Sequence, residues 1–295
     1  MSEGITRGAL IGLAGAAAAG AGIGIGIWKA GQGPEAKVGS TITARRFRGT
    51  LPVDAPGSSA WGDSEAVKVL LAPQQLVPPM LDAMGVGEVV LRALHDGGEL
   101  ALRLSWRDDE PDDLVGLARY QDAVAVQIPA SAGAQPPAIT MGEAGRAVHL
   151  LQWRATWQRD IDEGRGGVED LYPRVVRDTT PDELLDPKAV ALYYPGRAAG
   201  NPMSLFERSS PVEEAVAEGF GSVTTLAEQR ARGRGVHSGG RWAVTIGIPL
   251  DRGGSLEPLE PGSTWPLAVA VWLGSRGNRG SRKQYADWID LHLEA

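Results

Sequence analysis

The chain has 295 residues, enough for one large all-β domain or two ordinary ones, and a formal net charge of -7 at pH 7. This acidic balance argues against a general nucleic-acid-binding protein, which needs a basic face to neutralise phosphates. The absence of cysteine excludes disulfides, thiolate zinc sites, iron–sulfur clusters and covalent C-x-x-C-H haem attachment, so any cofactor must be bound noncovalently.

The N-terminal segment, residues 1–29, is predicted to be an apolar helix. It is uncharged from Gly8 to Trp28, a length that spans a bilayer as a helix. Its small residues recur four positions apart, a spacing that favours a partner helix within the membrane. The alternative is a cleaved secretory signal. In both cases we expect the rest of the chain to be extracytoplasmic, in the periplasm or at the outer membrane face, and the segment favours a retained anchor.

Residues 30–40 are polar and contain glycine, as is typical of a linker, and residues 41–295 form the predicted main domain. Short runs of alternating apolar residues in this domain indicate β-strands. The clearest are two runs joined at Asp96-Gly97-Gly98, a tight-turn sequence that predicts a hairpin. Further strands are predicted in the segments DAVAVQIP, AVHLLQWRATW, RWAVTIGIPL, WPLAVAVWLG and DWIDLHL.

Helical periodicity is scarce in the main domain. The exception is SPVEEAVAEG, where Ser209 or Ser210 could cap and Gly219 could end a helix of about two turns. The predicted fold class is therefore all-β: an antiparallel β-sandwich, immunoglobulin-like or carbohydrate-module-like, with short helices in its loops and an apolar helix before it.

Motifs of hydrolase and nucleotide chemistry are missing: there is no G-x-S-x-G elbow, H-E-x-x-H, Walker loop, EF-hand or dinucleotide fingerprint. The acidic loop RDDEPDD, residues 107–113, offers oxygen ligands for Ca²⁺, yet its spacing matches no calcium loop. Solvated turn residues are the better interpretation of this loop.

Two residues are unusual for their surroundings. Met141 lies in the loop PPAITMGEAG, where a thioether has little apolar surface to fill, so it is either a surface accident or a sulfur held for a ligand. Lysine is scarce beside arginine, and Lys283 is the only lysine in the last hundred residues. A lysine can lose its proton and offer a nitrogen lone pair, which an arginine in a protein cannot.

Several sequence blocks between residues 67 and 293 occur in one order. This ordered series resembles the haem-b-binding gamma subunit of the ethylbenzene dehydrogenase and dimethylsulfide dehydrogenase family, which also includes chlorate and selenate reductase gamma subunits. The blocks are VLLAPQQLVPPM, RALHDGGELALRLSW, YQDAVAVQIP, PAITMGEAGRAVHLLQWRATWQ, LYYPGRAAGNPMS, VEEAVAEGFGSVTT, GRWAVTIGIPL and AVWLGSRGNRGSRKQYADWIDLHL.

The resemblance implies a β-sandwich that binds one noncovalent haem b through an axial methionine and an axial lysine. The family's loop methionine falls on Met141, and the lysine before its last strand falls on Lys283. The chain departs from the family at the approach to that strand, where Arg279 and Arg282 stand close by. With both axial positions of the iron filled, electron transfer is the implied role.

The resemblance also implies partners. The chain would be a noncatalytic subunit that relays electrons between the iron–sulfur beta subunit of a molybdopterin oxidoreductase complex and an external partner. The molybdopterin would lie in the alpha subunit of that complex. The external partner would be a soluble cytochrome or a quinone-linked protein, and the direction of electron flow stays open.

Alternatives stay open at this point. His149 or His95 could replace Lys283, because imidazole is the commonest haem ligand. The tryptophan-rich strands are also compatible with an extracytoplasmic carbohydrate-binding sandwich that stacks sugars on indole rings. A third hypothesis is that the chain is a haem-free subunit that anchors a complex through its N-terminal helix.

Overall fold

The computed structural model describes residues 36–164, 169, 172–176, 186–201, 204–205 and 207–295. The predicted apolar helix at residues 1–29 and most of the predicted linker lie outside these residues, so the division into anchor, linker and domain stays a prediction. In the described part of the chain, no helix combines the length and the hydropathy that crossing a membrane requires.

The described residues are mostly β-strand, with a few short helices between strands. The strands are β1 (Lys37–Val38), β2 (Thr41–Arg46), β3 (Val67–Leu70), β4 (Ala72–Pro73), β5 (Glu88–His95), β6 (Glu99–Arg107), β7 (Ala123–Pro129), β8 (Val148–Arg154), β9 (Val212–Ala217), β10 (Thr224–Thr225), β11 (Arg232–His237), β12 (Arg241–Pro249), β13 (Thr264–Trp272), β14 (Gln284–Tyr285) and β15 (Ile289–Leu293). The helices are α1 (Ala155–Glu163), α2 (Pro187–Tyr193) and α3 (Pro195–Ala198), and 3-10 turns lie at Ser59–Asp63 and Gly274–Arg276.

Neighbouring strands are hydrogen-bonded in the order β10-β9-β8-β7-β13-β15-β2-β5-β6-β12-β11. This path folds into a sandwich, because Val124 and Val126 of β7 and Leu102 and Leu104 of β6 belong to one buried cluster. The predicted all-β sandwich is confirmed. The sheet is mixed rather than purely antiparallel, since β1 with β3, β15 with β2, and β2 with β5 pair in parallel.

The predicted hairpin is observed as β5 and β6. Gly97 adopts a positive φ of 94°, and the Asp96 carboxylate accepts backbone hydrogen bonds from Gly98 and Glu99, both at 2.8 Å. These bonds close the turn and set the register of the hairpin. The other segments predicted as strands appear as β7, β8, β12, β13 and β15, although the end of the β8 segment, from Ala155, is helical in α1.

The helix predicted between Ser209 or Ser210 and Gly219 is wrong, because this segment forms β9. Its backbone pairs with β8 on one side and with β10 on the other, so the sheet satisfies the hydrogen bonds that a helix would have formed internally. Tertiary pairing overrides the helical propensity of the glutamates and alanines.

Both glutamates of β9 are buried, each with a partner far away in the sequence. Glu213 accepts hydrogen bonds from the guanidinium of Arg154, and Glu214 accepts the backbone N–H of Arg230 at 2.6 Å. Buried carboxylates need such partners, because desolvation without a hydrogen bond is costly. In the local sequence, Glu213 and Glu214 suggest the solvent-exposed face of a helix. Their partners lie outside the segment, so the sequence does not show that both side chains are buried in a strand.

Three tryptophans fill the core between the layers. The rings of Trp106, Trp153 and Trp242 lie 4.9–6.4 Å apart, centroid to centroid. Gly235 of β11 lies directly against the Trp153 ring, and a Cβ added there would overlap it. This glycine is therefore needed for close packing rather than for a turn.

We expect Gly235→Ala to lower the free energy of unfolding by about 1–3 kcal/mol, because the new methyl group must displace a rigid ring in a packed core. The matched control is Gly62→Ala, where an added Cβ meets nothing within 4 Å. That change should stay within about 0.5 kcal/mol of the parent. Urea unfolding of both variants checks the prediction, and equal stabilities would contradict the packing argument.

Candidate functional site

A cavity of about 660 Å³ lies over β8, β7 and β13. Its volume falls within the range of about 300–1,000 Å³ that is usual for small-molecule sites. Successive side chains of a strand point to opposite faces, so β7 contributes side chains to the core on one face of the sheet and to the cavity on the other. Val124 and Ile128 belong to the core, and Ala123 and Ala125 belong to the floor of the cavity, while Val126 packs in the core and also borders the cavity.

The central residues on the floor of the cavity have small side chains. Ala125 pairs directly with Ala270 of β13, and Ala123 pairs with Trp272. These four residues form one small apolar cluster against which Tyr285 packs. A methyl-lined surface bounded by aromatic rings is suited to a planar apolar ligand rather than to a heavily hydroxylated one.

Met141 lines this cavity with its side chain half-buried. Its φ of 70° places the residue in the left-handed region. For a residue with a Cβ this conformation costs roughly 1–2 kcal/mol, and such strain is commonly found at functional sites. The loop methionine of the sequence is thus held in an unfavourable backbone conformation that directs it to the cavity.

Hydrogen bonds from separate elements hold the loop of Met141. The Met141 carbonyl accepts the N–H of Gly219 at 2.8 Å, and the Gln127 side chain of β7 donates to the Ile139 carbonyl at 3.1 Å. The Trp288 indole donates to the Pro137 carbonyl at 3.0 Å. The loop is therefore fixed to the floor and to the chain that follows β14.

Lys283 immediately precedes β14 and lines the same cavity. Its Nζ atom lies 5.2 Å from the centroid of the Trp272 ring, and it forms no salt bridge with a carboxylate among the described residues. Burial lowers the pKa of the Lys283 ammonium to about 8, because a poorly solvated site disfavours the charged form. The Lys283 amine is still mostly protonated at pH 7, but removing its proton costs less than in water.

Gln74 holds the backbone around Lys283. Its backbone N–H donates to the Lys283 carbonyl at 2.9 Å, and its side-chain amide donates to the Ser281 carbonyl, also at 2.9 Å. On the other side, Gln284 donates to the Val271 carbonyl of β13 at 3.0 Å. These bonds fix the register that brings Lys283 into the cavity.

The cavity is positively charged. Within the described part of the chain, Arg154, Arg279 and Lys283 line it, and no aspartate or glutamate does. Arg154 is neutralised by the buried Glu213, whereas Arg279 has no such carboxylate. An apolar cavity with uncompensated positive charge favours a largely apolar ligand that carries acidic groups.

The two histidines considered as alternative ligands do not reach the cavity. His149 lies on β8 between Leu150 and Val148, on the face opposite the cavity-lining Leu150. Its Nε2 atom is 3.7 Å from Glu214, and burial lowers its pKa to about 3. His95 is fully buried at the end of β5 and does not line the cavity. The structure therefore brings Met141 and Lys283 together, but not the histidines.

The acidic loop is not built as a calcium site. No cluster of three potential metal ligands occurs within the described ranges. The fully buried Asp122 instead acts as a hydrogen-bond centre that accepts the Gly274 N–H at 2.9 Å and the Trp242 indole N–H at 3.0 Å. Burial raises the pKa of the neighbouring Asp108, and the negative charge of Asp122 raises it further, to about 8.

Comparison with known proteins gives three findings. The model of a family described as ethylbenzene dehydrogenase matches residues 58–284, which is more than half of the chain and includes Met141 and Lys283. A curated protein of Haloferax mediterranei, named as a respiratory nitrate reductase heme subunit, is 23% identical over 262 residues. The match covers 85% of this chain and 75% of that protein.

Two of the solved structures that match this chain at low identity are described as carbohydrate-binding. A family 9 carbohydrate-binding module from Caldicellulosiruptor kristjanssonii in complex with glucose is 9% identical, with a TM-score of 0.38, and the match covers 86% of this chain and 96% of that one. A protein from Bacteroides uniformis described as carbohydrate-binding is 11% identical with a TM-score of 0.43, covering 87% and 100% of the two chains.

The strain at Met141 predicts an order of stabilities. In the ligand-free protein, Met141→Gly should unfold with a free energy about 1 kcal/mol higher than Met141→Ala, because glycine accepts a positive φ without a steric penalty. The matched control is the same pair of changes at Thr140, whose φ is not positive, and there alanine should be the more stable. An alanine variant at 141 as stable as the glycine variant would show that the conformation is unstrained.

The raised pKa of Asp108 predicts a pH dependence. Between its ordinary value of 3.8 and about 8 the folded protein holds a proton that the unfolded chain releases, so the free energy of unfolding falls as the pH rises through this window. Asp108→Asn should make that fall shallower, by up to about 1.4 kcal/mol per pH unit. Asp109→Asn, at an exposed position, is the control and should leave the slope unchanged. Denaturant titrations from pH 5 to 8 measure the slopes, and parallel curves for Asp108→Asn and the parent would refute the assignment.

Proposed function

The chain belongs to the ethylbenzene dehydrogenase family, and we propose that it is a noncatalytic electron-transfer subunit that binds one b-type haem noncovalently in the described cavity. This proposal rests on one observation: Met141 and Lys283 line the same cavity. The name of the Haloferax relative, a heme subunit, supports the same class of cofactor.

The residues present fit a haem. The alanine floor offers a flat apolar surface, the volume suits a large ligand, and the lining carries no acidic side chain that would repel ionised propionates. A thioether is a soft neutral donor, and a lysine binds metal only as the neutral amine. Burial of Lys283 favours that neutral form, and no carboxylate among the described residues competes for its Nζ atom.

In this proposal Met141 and Lys283 are the two axial ligands. The haem would supply a one-electron iron couple, and methionine ligation raises the potential of such a couple. Two protein ligands leave no position on the metal for a substrate, which favours electron relay over catalysis. The role of the protein would then be to hold the Met141 sulfur and the uncharged Lys283 amine in place and to exclude water from the space between them.

The hydrogen bonds around the two ligand loops support this work. Gln127 and Trp288 fix the loop of Met141, and Gln74 and Gln284 fix the backbone beside Lys283. A ligand set held by packed elements needs little rearrangement when the charge of the metal changes. Small rearrangement is what fast electron transfer requires of a protein site.

The partners proposed for the chain follow the family. We place it in a multisubunit oxidoreductase, where it exchanges electrons with an iron–sulfur beta subunit that is connected to a molybdopterin alpha subunit. The second exchange partner is a soluble cytochrome or a quinone-linked protein. The respiratory nitrate reductase of which the Haloferax relative is named a subunit supports such a complex. An extracytoplasmic location with an N-terminal membrane anchor completes the proposal.

Carbohydrate binding, the alternative from the sequence, fits the cavity less well. A sugar site presents many hydrogen-bonding groups beside an accessible aromatic platform. Here the centre of the floor is alanine, and Trp272, the tryptophan of the described lining, is only 8% exposed with its indole N–H donated to the Gly280 carbonyl. The apolar floor and a lysine without a carboxylate partner among the described residues favour haem over a sugar as the ligand.

The ligand assignment is tested by absorption spectra and redox titration of the protein loaded with haem. The parent should bind haem in a one-to-one ratio with a low-spin, six-coordinate spectrum. Met141→Leu keeps the volume but removes the sulfur, so the low-spin spectrum should change and the potential should fall. Lys283→Ala should open one coordination position to added imidazole.

Two matched variants serve as controls. Met84 is an exposed methionine outside the cavity, and Lys188 is an exposed lysine of α2. Met84→Leu and Lys188→Ala should keep the spectrum and the potential of the parent. If Met141→Leu and Lys283→Ala also keep them, both residues are wrongly assigned.

A further inference from the structure

Arg279 stands at the cavity without a negatively charged partner. Of the three cationic side chains in the described lining, Arg154 is bound to Glu213 and Lys283 is assigned to the metal. Arg279 forms no ion pair with a carboxylate among the residues that the structure describes. An arginine that is held in place but uncompensated, beside a cavity without acidic groups, is an available anion-binding group.

Two contacts hold the Arg279 guanidinium at the rim. It lies over the ring of Tyr120, another lining residue, 4.3 Å from its centroid, and its Nη1 atom donates to the Gly277 carbonyl at 2.9 Å. A stacked guanidinium keeps most of its N–H groups free for a ligand, because the ring occupies its face and not its edge.

The backbone of Arg279 belongs to the same turn that leads to Lys283. Arg279 and Arg282 exchange backbone hydrogen bonds of 3.0 and 3.1 Å, and the Trp272 indole donates to the Gly280 carbonyl at 2.9 Å. The turn is thereby fastened to the cavity floor. A group bound by Arg279 is placed at a set position relative to Lys283.

We propose that Arg279 binds a propionate of the haem at the mouth of the cavity and so fixes the rotation of the porphyrin between Met141 and Lys283. This inference rests on the proposed haem-binding function. Haem b carries two carboxylates on one edge. The rest of the described lining includes neutral polar side chains, such as Gln121 and Ser281, but no further cation beside Arg154, Arg279 and Lys283. Arg154 is already matched by Glu213, which leaves Arg279 for the acidic edge.

The test compares haem with its dimethyl ester, which has the same ring and iron but no ionisable carboxylates. The parent full-length chain should bind haem about threefold to tenfold more tightly than the ester, as expected for a partly exposed charge-assisted pair. Arg279→Gln should bind both compounds equally. Arg276→Gln is the control, because Arg276 is an exposed arginine of the preceding 3-10 turn that does not line the cavity, and it should keep the parent's preference.

The outcomes separate this inference from the proposed function. Dissociation rates into a haem-scavenging apoprotein and equilibrium titrations give the preference, and a low-spin spectrum in each variant shows that both axial ligands are retained. If Arg279→Gln keeps the full preference for haem over the ester, Arg279 does not bind a propionate, although haem binding itself stands. If the parent binds neither compound, the proposed function fails and this inference with it.

Discussion

The register between β7 and β13 is the constraint on which both the core and the site depend. Their valines point into the sandwich, and the alternating alanines point to the cavity, with Ala125 directly opposite Ala270. Because the side-chain period of a strand is two, a slip of one residue would bury the alanines and place the valines on the floor. The core would lose volume and the cavity would lose its flat surface together. The pairing that stabilises the core is therefore the same pairing that forms the floor of the cavity.

Above that floor, Met141 and Lys283, the two residues proposed as ligands, are placed by amide and indole groups from other elements. The strained backbone of Met141 persists because Gln127 and Trp288 fix its loop from two sides, and such over-determination is what allows a sparsely populated conformation to survive folding. Lys283 is held in the same manner by Gln74. Each of these bonds ends on a backbone carbonyl, which lies 12 residues away for Gln127 and 151 residues away for Trp288. The geometry of the site is thus a property of the assembled sandwich and not of either loop alone.

This distribution explains what could be predicted from the sequence. The hairpin at Asp96 is encoded locally by turn residues and alternation, and it was predicted with its turn. The segment of β9 was not, because its glutamates become acceptable in a strand only when Arg154 and Arg230 arrive from elsewhere. Met141 and Lys283 stood out from their local sequence, but their proposed role as ligands came from the resemblance of the chain to a family. The roles of Gln74 and Gln127 left no sequence signal, since a carbonyl partner has no side chain to identify it.

Several features of the cavity are unfavourable when considered separately. A methionine with positive φ, a lysine without a counterion and exposed apolar groups such as Phe220 all reduce the stability of the ligand-free chain. Natural proteins tolerate departures from local rules mainly where function requires them. One ligand that presents a metal, an apolar ring and acidic groups would use the sulfur, the uncharged amine, the apolar mouth and the free guanidinium at once. Their convergence in one cavity is the physical reason to regard them as a single site, because unrelated defects would be scattered over the surface.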